Sequence, residues 1–514
     1  MHRKIAIFST LILFLLGTAW SQESGKALSL TLEDCLLRAM KKNLNIAVEV
    51  LSPELSAMSL SRSKEKYYPS FSFSYNQSST NEASYSWIDA AGNVAVDSND
   101  FTAQVSQETP LGGRFSVSIR ANKYDTNRNF QTINPRYGSR LTFSFSQPLL
   151  RDFGININRR EIIIAKNNLE ISEIQLNKTI QDTVYNVIEA YWNLVYSIDS
   201  LKVKRQSLEL ARDLLAKNKR SVEIGTLAPI EILSAESEVA TREADILQAE
   251  ALVKNNEDRL KNILNLTDEE EKEISEIIAL DKPQFTEREV TLEQALATAL
   301  EKRPELQASR TDLKNQEVNL SYTKNQLLPN LSLTASYWSP GVSGTQIIYA
   351  DPFSQDVTQI IPRGAADAIK DTLDFKYKNW SVGLTLDIPL SNFLSRAAYA
   401  QAKISLDQAL LRLENQEKQV FLEIKNAVRA VQTDFKRVHA YKVARELAEK
   451  KLEAEEEKLR VGLSTNYFVL TYQRELANAR SAELKAIVDY NLSKTNLERA
   501  MGTILEARNI KFSG

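Results

Sequence analysis

Residues that could carry chemistry are few and scattered in this chain. It has two histidines, His2 near the start and His439 in a charged segment, and one cysteine, Cys35. No Gly-rich phosphate loop occurs, and no Cys/His cluster has metal-ligand spacing. The acidic runs Glu269–Glu271 and Glu455–Glu457 lie in polar stretches, where charge runs are usually solvated. We therefore expect no catalytic residue, no metal site and no cofactor.

Charge and the first residues point to an exported protein rather than a nucleic-acid binder. Lys and Arg number 64 against 66 Asp and Glu, a net charge of -2, which gives no field that would recruit nucleic acid. Arg3 and Lys4 precede an apolar run, Ile5 to Leu16, and a small-residue exit, Gly17 to Ser21. This pattern predicts a signal peptide over residues 1–21, with a retained membrane anchor as the alternative.

The elements that would position any functional residue occur twice. Leu30–Leu36 aligns with Val290–Leu296, and the same shift of 260 positions aligns Tyr68–Phe73 with Leu328–Leu333. Two matches at one offset predict an internal repeat. The first structural repeat is expected over 22–266 and the second over 291–501, with a connector at 267–290 and a tail at 502–514.

Each repeat is expected to contain helices, strands, one very long helix and a further helix. The first has helices at 31–42 and 46–67, strands within 69–147, and helices at 155–223 and 229–266. The second has helices at 291–302 and 304–327, strands within 329–389, and helices at 393–460 and 466–501. At 1.5 Å per residue each long helix would reach about 100 Å.

The long helices carry coiled-coil seams. In the first, apolar residues alternate at spacings of four and three from Ile180 through Tyr191 to Leu215, and a second stripe contains Ile188 and Trp192. In the second, the seam runs from Ala409 to Tyr441. Two stripes predict a helix that buries two flanks against different neighbours. On the helices alone, an ordinary antiparallel coiled-coil rod is the alternative.

The strands have a period of two, with an apolar face and a face of Ser and Thr. This length and alternation are typical of transmembrane β-strands, with a soluble half-buried sandwich as the alternative. Open edges cannot lie in lipid, so such strands must close into a barrel, here shared among subunits. The polar segments 78–100 and 339–378 would be outward loops. The residues expected to face lipid are Phe71, Phe73, Phe143, Phe145, Leu331, Leu333, Val382 and Leu384.

Doubled motifs in this order give the chain a family resemblance. The motifs that carry the resemblance occur once in each repeat. They are the Thr-Leu-Glu helix starts, Tyr68-Pro69 and Leu328-Pro329 before strands, Gln147-Pro148-Leu149 and Ile388-Pro389-Leu390 after strands, and the two glycine turns. The sequence resembles the outer-membrane efflux protein family, the TolC-like channels. The resemblance implies a mixed α/β membrane protein, a homotrimer whose strands share one transmembrane β-barrel and whose helices form an α-barrel tunnel across the periplasm of a diderm bacterium.

The resemblance also implies function and partners. The expected role is the outer-membrane exit duct of a tripartite efflux pump or type I secretion system, for small molecules or polypeptides, and not an enzyme. Its partners would be outer-membrane lipid, a periplasmic adaptor (membrane fusion protein) and, through the adaptor, an inner-membrane transporter. The adaptor would dock on the first tip (Ile224, Gly225, Thr226) and the second tip (Val461, Gly462, Leu463). The alternative is an envelope-spanning structural coiled-coil protein without transport.

Two features depart from the family pattern. An additional strand-like hairpin lies at 101–119, and whether it enters the barrel is open. Near the second tip, Phe468 and Thr471 stand where the family often has acidic residues. Phe468 and Thr471 are therefore the candidate gate residues, with closure by apolar crowding at Phe468; the alternative is that Phe468 fills the seam between helices.

Overall fold

The computed structural model describes residues 26–85, 89, 92–267, 269–270, 274–286, 290–351 and 356–510. The expected signal peptide, 1–21, lies outside these residues. Among the helices of the described residues, none combines the length and apolar character that a membrane-spanning helix requires.

Helices make up most of the chain. Two are very long, α4 with 64 residues and α9 with 68. The helices are α1 Leu32–Lys42, α2 Leu44–Lys64, α3 Ile155–Asn158, α4 Arg160–Glu223, α5 Ile230–Leu264, α6 Leu292–Lys302, α7 Pro304–Asn325, α8 Ala365–Leu373, α9 Phe393–Arg460, α10 Asn466–Ala500 and α11 Ile504–Ala507.

Strands occur in two groups. The strands are β1 Lys26–Leu30, β2 Ser70–Ala83, β3 Asn93–Glu108, β4 Arg114–Thr126, β5 Ile133–Pro148, β6 Ile274–Ala279, β7 Asn330–Tyr349, β8 Val357–Ile361 and β9 Asn379–Asp387. β1 and β6 form a two-stranded parallel sheet, and the other seven form one antiparallel sheet.

The chain divides into two compact units. The first contains Met1–Leu44, Asp182–Glu289 and Ala427–Leu497, and it holds the small sheet, α5, α10 and both hairpin tips. The second contains Asn45–Gln181, Val290–Asn426 and Glu498–Gly514, and it holds the large sheet with α2, α6, α7 and α8. The residues of α4 and α9 are divided between the two units.

Apolar periodicity explains why the long helices form and what they bury. In α4 the seam residues Ile180, Val184, Val187, Tyr191 and Leu194 are at most 1% exposed. The second stripe is buried as well, since Ile188, Trp192 and Val195 are at most 8% exposed. Both flanks of α4 are therefore covered over this stretch. The seam of α9 is buried from Val420 to Val438, but Tyr441 at its end is 36% exposed.

The small sheet is tied into the first unit by two buried polar side chains. The Tyr191 hydroxyl donates to the Leu30 carbonyl over 3.3 Å and to the Asp281 carboxylate over 3.0 Å. Glu257, which is fully buried, accepts from the Ile277 amide at 3.1 Å and from Lys254 at 2.8 Å. This parallel pair lies within the segments expected to precede the first helix and to connect the repeats, where the sequence predicted no strand.

The large sheet has the order β2-β3-β4-β5-β7, with β8 and β9 both along the far edge of β7. β9 pairs with Asn330–Trp338 of β7, and β8 pairs with Gln346–Tyr349 at its other end. The expectation that 78–100 and 339–378 are loops is wrong for much of both segments. Strands β2, β3 and β7 extend into them, and 365–373 is the helix α8.

Candidate functional site: two faces of one sheet and two helical tips

Directly paired residues on antiparallel strands share a face, so the register assigns the faces of the large sheet. One row of paired residues is apolar across six strands, and we call it the apolar row. It consists of Phe71, Val105, Val117, Phe143, Tyr337 and Trp380. All eight residues expected to face lipid lie on this face, at or an even number of positions from a member of the row.

The same face is exposed at both edges of the sheet. Phe71 and Phe73 on β2 are 70% and 63% exposed, and Val382 and Leu384 on β9 are 62% and 67% exposed. Phe145 is 37% exposed, whereas Phe143, Leu331 and Leu333 are half-buried against their neighbours. Exposed apolar surface of this extent on one side of a sheet marks an interaction with lipid or with another protein.

The opposite face is lined with hydroxyl groups. Its central row, here called the serine row, contains a serine on each of six strands: Ser70, Ser106, Ser116, Ser144, Ser336 and Ser381. The hydroxyls of Ser70 and Ser106 lie 2.8 Å apart, and those of Ser336 and Ser381 lie 2.7 Å apart. Around these two rows, alternation along each of the six strands thus separates an apolar face from a polar one.

The additional hairpin is part of this sheet. Residues 101–119 belong to β3 and β4, which lie between β2 and β5. The sequence predicted the strands but could not decide their place, because a period of two gives each strand a face and names no partner.

Helix α8 covers the apolar-row face where that face becomes polar. The Ser139 hydroxyl of β5 donates to the Ala368 carbonyl of α8 at 2.7 Å and also contacts the Thr372 hydroxyl. Ser139, Ala368 and Thr372 are at most 5% exposed, whereas Leu373 on the same helix is 53% exposed. Because α8 is short and surrounded by polar residues, the sequence analysis missed it.

Both helical tips have the same glycine-ended turn. Gly225 and Gly462 have φ of +76° and +78°, the left-handed conformation that favours glycine. The Thr226 amide donates to the Ser221 carbonyl at 2.9 Å, and the Leu463 amide donates to the Lys458 carbonyl at 2.8 Å. With the glycine amides bonding three residues back, these are Schellman motifs.

The tips expose apolar side chains that the turn itself does not need. Ile224 is 74% exposed, Val461 is 62% exposed and Leu463 is 78% exposed. A Cβ added at Gly225 or Gly462 would meet no atom within 4 Å, so only the backbone conformation restricts these positions. All six tip residues lie in the first unit.

The candidate gate residues lie at the start of α10. Phe468 is 45% exposed and contacts the rings of Tyr467 and Tyr472, with centroids 5.7 and 6.4 Å away. The Thr471 hydroxyl donates to the Tyr467 carbonyl at 2.8 Å. The hydrophobic core at this level instead includes Val469 and Leu470, at 2% and 4% exposure.

A buried arginine near the tips was missed by the sequence analysis. Arg242 on α5 is 4% exposed, and it donates to the Ser207 carbonyl of α4 at 2.6 Å and to the Leu470 carbonyl of α10 at 2.9 Å. Its Nε donates to Glu238 at 3.1 Å. Burial lowers the pKa of the Arg242 guanidinium, and the hydrogen bond to Glu238 opposes that shift. One side chain therefore ties three helices together.

Comparison with known proteins shows which family this chain matches. Residues 123–266 and 295–503 match the family described as outer membrane efflux protein. The chain belongs to this family. The resemblance inferred from the sequence and the outer-membrane location are thereby confirmed. Among the described residues, no group of three or more His, Cys, Asp or Glu could hold a metal ion.

Relatives within the outer membrane efflux proteins are distant but match over most of their length. The chain is 24% identical to outer membrane protein TolC of Vibrio cholerae over 443 residues, 84% of this chain and 90% of that protein. It is also 24% identical to TolC of Escherichia coli over 436 residues, 78% of this chain and 82% of that protein.

Solved structures show the same fold. The outer-membrane channel OprN matches with a TM-score of 0.66 and 16% identity, over 92% of this chain and 90% of that one. The CmeC outer membrane channel of Campylobacter jejuni matches with a TM-score of 0.64 and 17% identity, over 98% of this chain and 94% of that one. The fold is thus that of outer-membrane channels.

Proposed function

We propose that the protein is the outer-membrane exit duct of a tripartite efflux pump or a type I secretion system. In this role three copies share one transmembrane β-barrel, and their long helices form a tunnel that extends into the periplasm. Cargo, either small molecules or polypeptides, passes through the duct, which acts by conduction and performs no chemistry. The observation that carries the proposal is the large sheet of this chain, which is apolar on one face and lined with serines on the other.

The sheet supports a barrel shared between copies. Among the described strands, β2 pairs only with β3 and β9 only with β7, so both outer edges lack partners along most of their length. In hydrocarbon such edges must pair, because unsatisfied backbone groups cost several kcal/mol each. The apolar row then faces lipid and the serine row faces the lumen, which accounts for the exposure of Phe71 and Leu384.

The tips support adaptor docking. Exposed Ile224, Val461 and Leu463 offer an apolar surface, and the Schellman turns hold it in place. We propose that a periplasmic adaptor binds both tips and connects the duct to an inner-membrane transporter.

Valine substitutions at the turns test this docking. Gly225→Val or Gly462→Val forces a β-branched residue into the left-handed conformation, at a cost of about 1 to 3 kcal/mol. We expect trimers to remain in the membrane while cross-linking to the adaptor and export are lost. Gly364→Val is the matched control, since Gly364 also has open space at its Cβ position but lies in extended backbone. Normal export by both tip variants would refute docking at the tips.

Export in cells tests the duct itself. In a strain that lacks the chain, we expect accumulation of ethidium, loss of polypeptides from the culture medium, or both. Reintroducing the intact chain should restore the lost export. If neither ethidium content nor secreted polypeptides differ between the two strains, the protein is not an exit duct, and a structural role becomes the better account.

A further inference from the structure

We propose that the hairpin β3–β4 is part of the barrel wall, so that each copy contributes six strands and three copies close a barrel of eighteen. The inference rests on the proposed trimeric duct and specifies its pore. The six strands are β2, β3, β4, β5, β7 and β9. Among the described strands, the short β8 pairs with β7 alone, at the end of β7 that lies beyond β9.

Continuous pairing places the hairpin in the wall. β2 pairs with β3 from Ser70–Ser106 to Ala83–Asn93, with no bulge. β3 pairs with β4 and β4 with β5 without irregularity. A hairpin folded over the barrel or into its lumen would leave β2 and β5 to pair with each other, and they do not.

The two faces also continue through the hairpin. Val105 and Val117 occupy the apolar row, and Ser106 and Ser116 occupy the serine row. Val105 is 44% exposed and Phe115, on the same face, is also 44% exposed, as expected for a surface that lipid covers. A hairpin outside the wall would have no reason to match both faces of its neighbours.

The hairpin turn is fixed at the junction between strands and helices. The Leu111 carbonyl accepts from the Gly154 amide at 3.3 Å and from the Gln147 side chain at 3.1 Å. A Cβ at Gly112 would collide with the Asp152 carbonyl and the Asn158 side chain, so the turn fits tightly against this junction. These contacts hold the turn at the end of the sheet where β5 leads into α3.

Strand direction makes closure possible. All neighbours along the six-strand path are antiparallel, so β9 runs opposite to β2. The β9 edge of one copy can therefore pair antiparallel with the β2 edge of the next copy, and this would hold around a ring of three. An even strand number per copy is what this geometry requires.

The hairpin widens the pore. With strands about 4.8 Å apart and tilted by about 40°, eighteen strands enclose roughly 36 Å between backbones, whereas twelve would enclose roughly 24 Å. Side chains on both sides take up about 10 Å of that width. The eighteen-stranded barrel would then leave about 26 Å, enough for two packed helices side by side, and the twelve-stranded barrel would leave about 14 Å, enough for only one. The wider barrel favours bulky or polypeptide cargo at this end of the duct.

Disulfide trapping on the serine row tests the position of the hairpin in membranes. The native cysteine, Cys35, is fully buried and is kept. We expect oxidation to link Ser70→Cys with Ser106→Cys and to link Ser116→Cys with Ser144→Cys. The pair Ser70→Cys with Ser144→Cys should stay unlinked. The pair Ser336→Cys with Ser381→Cys is the control for a sheet contact outside the hairpin.

An efficient link between positions 70 and 144, together with no link between 70 and 106, would overturn the inference. It would show that β2 pairs with β5 and that the hairpin lies outside the wall. The control pair should link in either case, because it joins β7 to β9.

Electron cryomicroscopy of the full chain in nanodiscs tests the count directly. We expect a three-fold particle with eighteen strands in cross-section. A three-fold particle with twelve strands would overturn the inference and leave the proposed duct intact. A particle that is not three-fold would overturn both.

Discussion

A lysine at Phe143 should prevent the sheet from entering the membrane, whereas a lysine at Ser144 should not. The two residues are adjacent on the central strand β5 and lie at nearly the same depth. Phe143 lies between Val117 and Tyr337 on the apolar row, and Ser144 lies between Ser116 and Ser336 on the serine row. The pair therefore changes one variable, the face of the sheet.

The magnitude follows from the environment of each face. A lysine that faces lipid near mid-bilayer costs about 2 to 4 kcal/mol, which lowers the ratio of folded to unfolded chain roughly 30- to 700-fold. Lost cross-strand contacts with Val117 and Tyr337 add about 0.2 to 1 kcal/mol each, about 0.4 to 2 kcal/mol together. In a trimer the lipid penalty occurs three times, for a total of about 6 to 12 kcal/mol. A lysine at Ser144 stays in a water-filled lumen and should cost close to nothing.

Heat-modifiable trimers in outer-membrane fractions provide the first measurement, and urea unfolding from liposomes provides the second. We expect Phe143→Lys to remove the trimer band and Ser144→Lys to retain it with an unchanged urea midpoint. Equal losses in both variants would refute the assignment of lipid and lumen to the two faces. So would a stable Phe143→Lys trimer.

Three further predictions concern the helical part of the chain. Phe468 and Thr471 put no carboxylate at the proposed gate, so micromolar trivalent cation should not block the native channel, and Phe468→Ala should raise its conductance in a planar bilayer. Strong block of the native channel, or unchanged conductance of the variant, would contradict this. Arg242→Met removes the side chain that donates to two backbone carbonyls and to Glu238, so it should destabilise the fold by about 3 kcal/mol. The measurement is the thermal unfolding midpoint, which should fall; an unchanged midpoint would show that the arginine is dispensable. Burial raises the pKa of the Cys35 thiol to about 12, so maleimide should not label it at pH 8 until urea is added.

Much of the helical architecture could be predicted from the sequence because its signals are local. The helix predicted over 393–460 is the observed α9, because the seam from Ala409 to Tyr441 marks its middle and the turn at Gly462 marks its end. Thr31 and Thr291 cap the helices they were expected to start, accepting from Asp34 and Gln294 amides at 3.1 and 3.4 Å. The glycine turns follow from the same kind of local rule.

The features that the sequence missed depend on distant partners. Ser78 pairs with Ser98 in the second half of β2, where both faces are exposed and polar, so no hydrophobic period marks this stretch. β6 is a strand because β1, far earlier in the chain, pairs with it. Arg242 differs from the many exposed arginines only through its contacts with Ser207 and Leu470. These contacts form only when three helices pack together, and an i,i+4 pair with Glu238 gives no sign of burial.

Reconstitution of the purified protein in a planar bilayer tests the central claim most directly. The account predicts detergent-resistant trimers that insert and conduct ions, with conductance lost when Phe143→Lys prevents insertion. An elongated soluble particle that neither inserts nor conducts would contradict it and would favour a structural coiled-coil protein of the envelope.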